Sequence, residues 1–101
     1  MSKYKIAILQ IAREDIGEIF FYIAENSLTS ALEMTDKILG KIDTLAEHPH
    51  IGKIVQDSEL AKQDYRMLII DCYIAFYKVI NHEVVVYRVL HGMRDYPDLL
   101  K

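Results

Sequence analysis

The chain of 101 residues has one cysteine and no tryptophan. A single cysteine, Cys72, cannot form an internal disulfide, so we expect a protein of a reducing compartment, the cytoplasm by default. Cys72 lies in an apolar stretch typical of a strand, and we interpret it as a buried, unreactive thiol and not as a nucleophile. The low cysteine content excludes the class of small secreted proteins that disulfides stabilise.

Long apolar runs and a basic surplus are also absent. No stretch approaches the ~20 consecutive apolar residues that a membrane-spanning helix needs. The first residues lack the apolar run and cleavage site of an export signal, which again predicts a cytoplasmic protein without membrane contact. The net charge is −3 and the pI is about 5.7. Nucleic-acid-binding domains often have a pI above about 9, so the composition is not typical of that class.

The first half of the chain has the hydrophobic period of helices. An alternating segment over residues 4–9 predicts a first strand, and helical spacing then predicts a helix over about residues 11–25. A second helix follows and ends before a predicted turn at residues 48–52. Ser27 and Ser30 are both candidates for its N-cap. Two helices joined by so short a link should pack as an antiparallel hairpin.

The second half has the alternation and the β-branched content of strands. Residues 65–70, 73–80 and 83–90 each predict a strand, and Asn81-His82 has the length of a two-residue hairpin turn. The order β-α-α-β-β-β indicates an α+β fold. An antiparallel-dominated four-stranded sheet should pack against the N-terminal helix hairpin. With 51% hydrophobic residues, we expect residues 1–101 to form a single domain around one core.

The last predicted strand ends in a cluster of polar side chains, Arg88, His91, Arg94 and Tyr96. Gly92 allows the backbone to turn sharply within this cluster. Arginine and histidine are rarely buried without a partner. The cluster therefore predicts a surface that meets an anionic group or another protein.

The arginines also have structural interpretations. Strict alternation places Arg88 on the same face as Val84, Val86 and Leu90, where a half-buried arginine would pair with a helix carboxylate.

Two further arginines can be explained by local ion pairs. Arg66 would pair with Asp64 or Asp71, and Arg94 with Asp95.

The order and spacing of these residues resemble the ParE/RelE superfamily, the bacterial toxins of type II toxin–antitoxin (plasmid stabilisation) modules. The likeness covers nearly the whole chain, and its strongest part is the segment 88–96, which is close to the family's usual ending. The family's fold agrees with the predicted order of elements. The other positions that carry the likeness are Ala12, Asp15, Ile19, Tyr22, Ile23, Ala24, Leu45, His48, Pro49, Gly52, Arg66, Tyr73 and Tyr77.

The resemblance implies one of two activities. RelE-like members cut messenger RNA on the ribosome, with a basic concave sheet surface that carries several lysines and arginines plus a tyrosine or histidine. Such cleavage needs a base, an acid and cations around one phosphate. For that activity the candidate catalytic residues are Arg66, His91, Arg94 and Tyr96. ParE-like members instead poison DNA gyrase and are not known to perform chemistry themselves.

The sequence departs from the nuclease pattern at its sheet positions. Leu68 stands where RelE-like enzymes tend to carry a lysine, Ile74 where they carry an arginine, and Leu100 about where their tyrosine lies. Aliphatic side chains cannot stabilise charge on a phosphate. The acidic balance also argues against tight ribosome binding, to which phosphate neutralisation contributes much of the affinity. We therefore expect a ParE-like protein that is not an enzyme.

The expected function is growth arrest by binding and poisoning DNA gyrase, with neutralisation by a cognate antitoxin in a hetero-oligomer. The alternatives are a RelE-like, ribosome-dependent mRNA endoribonuclease and a non-toxic family member that acts only as a binding partner. We expect no cofactor and no metal, since the histidines at positions 48 and 50 lack further ligands at suitable spacing. The residues expected to bind the target are Arg66, Arg88, His91, Arg94 and Tyr96.

Overall fold

The computed structural model describes residues 3–94 and 96–100. A short 3-10 turn, Thr44–Ala46, follows the second of its helices. The elements in chain order are β1 (Lys5–Ile8), α1 (Gln10–Ala24), α2 (Leu28–Asp43), β2 (Lys53–Ile54), α3 (Ser58–Lys62), β3 (Arg66–Ile70), β4 (Tyr73–Ile80), β5 (Glu83–His91) and α4 (Tyr96–Leu100). None of the helices in this part of the chain is long and apolar enough to cross a membrane.

The strands form one mixed sheet in the order β1-β5-β4-β3-β2. β1 pairs with β5 in parallel, and the other neighbours are antiparallel. The predicted α+β class with an N-terminal helix hairpin is confirmed. The described strands number five and not the predicted four, because the chain after the 48–52 turn adds β2 to the edge of β3. Two residues are too few to leave a period in the sequence.

The two long helices form where apolar residues recur at helical spacing. α1 buries Ala12, Ile16 and Ile19, and α2 buries Ala31, Ile38 and Ile42 along its own stripe. Of the two candidate N-caps of α2, the structure uses Ser27, whose hydroxyl accepts the N–H of Ser30 at 3.1 Å. These helices cover one face of the sheet, and their buried side chains meet Ala75, Tyr77, Val84 and Val86 in a core that we call the helix-side core.

The other face of the sheet is covered as well. Phe76 and Leu90 point away from the helix hairpin and pack with Leu60 of α3 in a second core. Tyr96 and Leu99 of α4 pack against it. The sequence prediction missed α3 and α4, because helices of five residues are too short to show a 3.6-residue period.

A register shift in β5 corrects the predicted face of Arg88. Tyr77 pairs with Val86 and Phe76 pairs with Arg88, so β5 carries one extra residue between these pairs. Such a bulge reverses the alternation beyond it. Val84 and Val86 lie in the helix-side core, whereas Leu90 lies in the second core. The prediction that strict alternation would place Arg88 and Leu90 on the same face as Val84 and Val86 was therefore wrong.

Tight turns in this fold use non-glycine residues with positive φ. Asn81 has φ 56° and opens the predicted two-residue hairpin turn, which is confirmed because Ile80 pairs with Glu83. Asp71 has φ 54° at the matching position between β3 and β4. Asp64 has φ 65° two residues after the end of α3, where the N–H of Tyr65 donates to the carbonyl of Leu60 at 3.3 Å. A left-handed residue in this place is the usual way to end a helix, and glycine adopts it most easily.

Asp64→Gly is therefore expected to raise the free energy of unfolding by about 0.5 kcal/mol, because L residues adopt the left-handed region at a cost that glycine avoids. The matched control is Gln63→Gly at the preceding position, where φ is −90° and glycine only adds freedom to the unfolded chain. Urea unfolding checks both variants. Equal losses of stability in the two would show that the left-handed geometry does not matter.

Candidate functional site

Arg66, the first of the predicted target-binding residues, stabilises a turn. Its Nη1 donates to the carbonyl of His50 at 3.1 Å and to that of Gly52 at 2.9 Å. Within the described residues its guanidinium forms no ion pair, so the predicted pairing with Asp64 or Asp71 was wrong. The backbone of the turn takes the place that a carboxylate was expected to fill.

Arg88 forms the ion pair with a helix carboxylate that the sequence predicted. Its Nε and Nη2 donate to the two carboxylate oxygens of Asp15 in α1, at 2.7 and 2.8 Å. The Arg88 side chain is 16% exposed and that of Asp15 is 7% exposed. The hydrogen bonds that Arg88 donates to Asp15, more than any other cause, raise the pKa of Arg88. The guanidinium therefore stays charged and paired beneath the surface.

Asp15 also accepts a backbone hydrogen bond at the open edge of β5. β1 ends at Ile8, which pairs with Val86, so the next residues of β5 have no neighbouring strand on that side. The N–H of Val89 instead donates to Asp15 at 3.0 Å. One carboxylate thus replaces a strand partner and neutralises Arg88 at the same time.

Beside this ion pair, a cavity of about 570 Å³ opens between α1 and the ends of β4 and β5. We call it the terminal cavity. Two of the five predicted target-binding residues, His91 and Arg94, lie together in its lining, and both are exposed. The lining residues are Asp15, Glu18, Ile19, Tyr22, Cys72, Tyr73, Val89, Leu90, His91 and Arg94.

His91 has a defined orientation at the edge of the terminal cavity. It ends β5 opposite Tyr73, and the two rings meet edge to face with centroids 5.6 Å apart. Its Nδ1 accepts the N–H of Met93 at 3.1 Å, so the neutral ring carries its proton on Nε2. Burial, followed by the neighbouring Cys72 thiol, raises the pKa of Tyr73, whose phenol therefore stays protonated near neutral pH.

Tyr96 lies apart from the terminal cavity. Its ring packs against that of Phe76, 4.8 Å between centroids, in the second core. Asp95, the predicted partner of Arg94, lies outside the described residues. The structure therefore brings His91 and Arg94 together and leaves Arg66, Arg88 and Tyr96 in other surroundings.

Two aliphatic residues that stand where RelE-like enzymes carry a lysine or an arginine pack against the two cores of the protein. Leu68 packs against the helix-side core and Ile74 against the second core. No group of three His, Cys, Asp or Glu side chains suitable for a metal occurs within residues 3–94 and 96–100.

The family model described as the ParE toxin of the type II toxin–antitoxin system parDE matches residues 6–96. The chain belongs to the ParE toxin family. The matched range runs from β1 to the first residue of α4, so it contains the buried ion pair and the whole lining of the terminal cavity.

Solved structures are similar to this ParE-family chain in fold. The chromosomal ParDE toxin–antitoxin system from P. aeruginosa matches with a TM-score of 0.73 and 16% identity, over 88% of this chain and 96% of that chain. The toxin–antitoxin complex RelBE2 from Mycobacterium tuberculosis matches with a TM-score of 0.55 and 21% identity, over 88% of this chain and 98% of that chain. At such identities the likeness concerns the fold. A comparison with curated proteins finds no match to the sequence.

The sequence interpretation of this ParE-family chain missed Glu18, Tyr22 and Cys72 as neighbours of His91. Cys72 is exposed, so the prediction of a buried thiol was wrong. The apolar runs before and after it suggested burial, but Asp71 and Cys72 form the exposed turn between β3 and β4. The polar Asp71 between two apolar runs was the available sign of this turn.

Proposed function

We propose that the protein arrests growth by binding DNA gyrase, and that it acts by docking and not by catalysis. We further propose that a cognate antitoxin keeps it inactive in a hetero-oligomer. Membership in the ParE toxin family supports the toxin assignment. The solved structures similar in fold belong to a toxin–antitoxin system and a toxin–antitoxin complex, which supports an antitoxin partner.

The separation of the candidate nuclease residues is the observation that carries the docking proposal. RNA cleavage needs a base, an acid and cations arranged around one phosphate. Arg66 donates to two backbone carbonyls, Tyr96 packs against Phe76 in the second core, and only His91 and Arg94 share a cavity. This arrangement favours a binding surface over a catalytic centre.

A supercoiling assay with purified gyrase tests the proposed target. We expect the protein to inhibit supercoiling, and Arg94→Gln to raise the concentration needed by about tenfold, the effect of losing one well-placed interface arginine. Arg94 is exposed, so its replacement should leave the fold intact. Lys62→Gln, which removes an exposed cation from α3, is the matched control.

Two results would contradict this assignment. Undiminished supercoiling at high protein concentration would exclude gyrase as the target. Equal inhibition by the wild-type protein, Arg94→Gln and Lys62→Gln would place the gyrase contact outside the terminal cavity.

The helix hairpin offers a surface for the antitoxin. Leu28, Leu32 and Leu39 of α2 are exposed by 60%, 52% and 39%, and their spacing of four and seven residues places them on one side of the helix. Phe21 of α1 is 71% exposed. Large apolar side chains at regular spacing are the anchors that a bound amphipathic segment uses. We propose that the antitoxin covers the apolar surface that the three leucines of α2 and Phe21 form.

Leu32→Asp is expected to weaken binding of the proposed cognate antitoxin by at least about tenfold, since a charge would replace a central apolar contact. The stability of the free protein should change little, because Leu32 is already exposed. Gln56→Asp, at an exposed position between β2 and α3, is the matched control. Isothermal titration calorimetry measures all three proteins, and unchanged affinity of Leu32→Asp would exclude α2 as the antitoxin surface.

A further inference from the structure

The terminal cavity combines a buried apolar floor with a polar rim. Ile19, Tyr73 and Val89 form part of the floor, with exposed fractions of 9%, 7% and 1%. Its volume of about 570 Å³ lies within the range of about 300–1,000 Å³ that is common for ligand pockets. Tyr22, at 72% exposure, stands at the rim. A large apolar side chain from outside could therefore be buried here.

Some of the polar groups around the cavity are already paired within the protein, and others are available to a partner. Asp15 is neutralised by Arg88. Within residues 3–94 and 96–100, the guanidinium of Arg94 and the Nε2 of His91 have no hydrogen-bond or ion-pair partner, and both side chains are exposed. Glu18 lies on the α1 side of the cavity. The β5 side thus offers two donors, and the α1 side offers one carboxylate.

We propose that the terminal cavity binds a partner protein through a segment in which a carboxylate side chain lies next to a large apolar side chain. The apolar side chain packs on the floor, and the carboxylate accepts hydrogen bonds from Arg94 and from Nε2 of His91. Charge-assisted hydrogen bonds of this kind are roughly twice as strong as neutral ones. This inference rests on the proposed function, since it names the chemistry that a docking toxin recognises.

The same charges disfavour a nucleic acid at this place. A nucleic acid brings one negative charge with every nucleotide, and Glu18 would repel those that reach the α1 side. A peptide can bring a single carboxylate to the β5 side and an apolar or basic residue to Glu18. The net charge of −3 on the whole chain acts in the same direction.

Cys72 provides a direct test, because it is the only cysteine and is exposed in the cavity lining. The full-length protein is alkylated with N-ethylmaleimide, a neutral reagent, and the reaction is followed by mass spectrometry. The probes are acetyl-Gly-Asp-Phe-Gly-amide, its twin with Asn for Asp, and hexauridylate RNA. At about 1–10 mM, the range expected for a single anchor, we expect the Asp peptide to slow alkylation several times more than the Asn peptide does.

Arg94→Gln should abolish the difference between the two peptides, whereas Lys62→Gln should preserve it. Equal protection by both peptides, protection by the RNA, no protection by either peptide, or an unchanged difference in Arg94→Gln would each overturn the inference. The alkylation rate measures only whether the cavity is occupied, and the supercoiling assay measures only whether gyrase is inhibited. Failure of one is therefore distinguishable from failure of the other.

Discussion

Asp15→Ala is expected to lower the free energy of unfolding by about 3–5 kcal/mol, the range for breaking a buried ion pair on one side. The Asp15 carboxylate accepts two hydrogen bonds from Arg88 and one from the N–H of Val89. Alanine would leave the Arg88 side chain, which is only 16% exposed, without its charged partner. Since domains are stable by about 5–15 kcal/mol in total, the variant should be marginally folded. Urea unfolding followed by circular dichroism measures the loss.

The exposed ion pair of Lys37 and Asp71 is the matched control. Its atoms lie 2.9 Å apart, close to the distances at Arg88, but its side chains are 50% and 44% exposed. Lys37→Ala should therefore cost less than about 1 kcal/mol. If Asp15→Ala lowered the free energy of unfolding by as little as Lys37→Ala does, the pair of Asp15 and Arg88 could not be a buried ion pair.

A double replacement separates charge burial from packing. The variant with Asp15→Leu and Arg88→Met removes both charges and should recover much of the stability lost in Asp15→Ala, since apolar pairs often replace buried ion pairs at little cost. If the double variant is as unstable as Asp15→Ala, the loss comes from the Val89 N–H at the strand edge and not from the unpaired guanidinium.

Gly52→Ala is expected to lower the free energy of unfolding by about 2–3 kcal/mol, the upper part of the range for overpacking. A Cβ at Gly52 would lie 2.5 Å from the Tyr77 hydroxyl and 2.8 Å from the carbonyl oxygen of Met67. The backbone there cannot shift freely, because the Gly52 N–H donates to Tyr77 and its carbonyl accepts from Arg66. Thermal and urea unfolding check the loss.

Gly40→Ala should instead raise the free energy of unfolding. Gly40 lies in α2, and an added Cβ there meets nothing within 4 Å. Alanine should therefore raise stability by about 0.5–1 kcal/mol through its higher helix propensity.

Tyr77→Phe should rescue Gly52→Ala only in part, because the contacts with the ring and with Met67 remain. A neutral Gly52→Ala would show that the turn is not packed against β4.

Most of the fold could be predicted because its large elements leave a period in the sequence. The stripes of α1 and α2, the alternation of β3 to β5 and the Asn81-His82 turn were all recognisable. The extra residue in β5 was not, since a bulge depends on the pairing with β4 and not on the local sequence. β2, α3 and α4 have two or five residues and are stabilised by tertiary contacts.

The candidate site could be predicted less well, because it depends on contacts between distant elements. The pairing of Arg88 with a helix carboxylate followed from the cost of burying an arginine alone. The sequence prediction did not name Asp15, 73 positions away, as that carboxylate. The separation of Tyr96 from His91 likewise depends on α4, which packs against the second core.

We propose that this ParE-family protein acts by binding and performs no chemistry on RNA. The most direct test adds the purified protein to translating ribosomes and maps the ends of the messenger RNA by primer extension. We predict no cleavage above the level seen without the protein, while the same preparation inhibits gyrase. Codon-dependent cleavage that His91→Ala or Arg94→Gln abolishes would contradict this proposal.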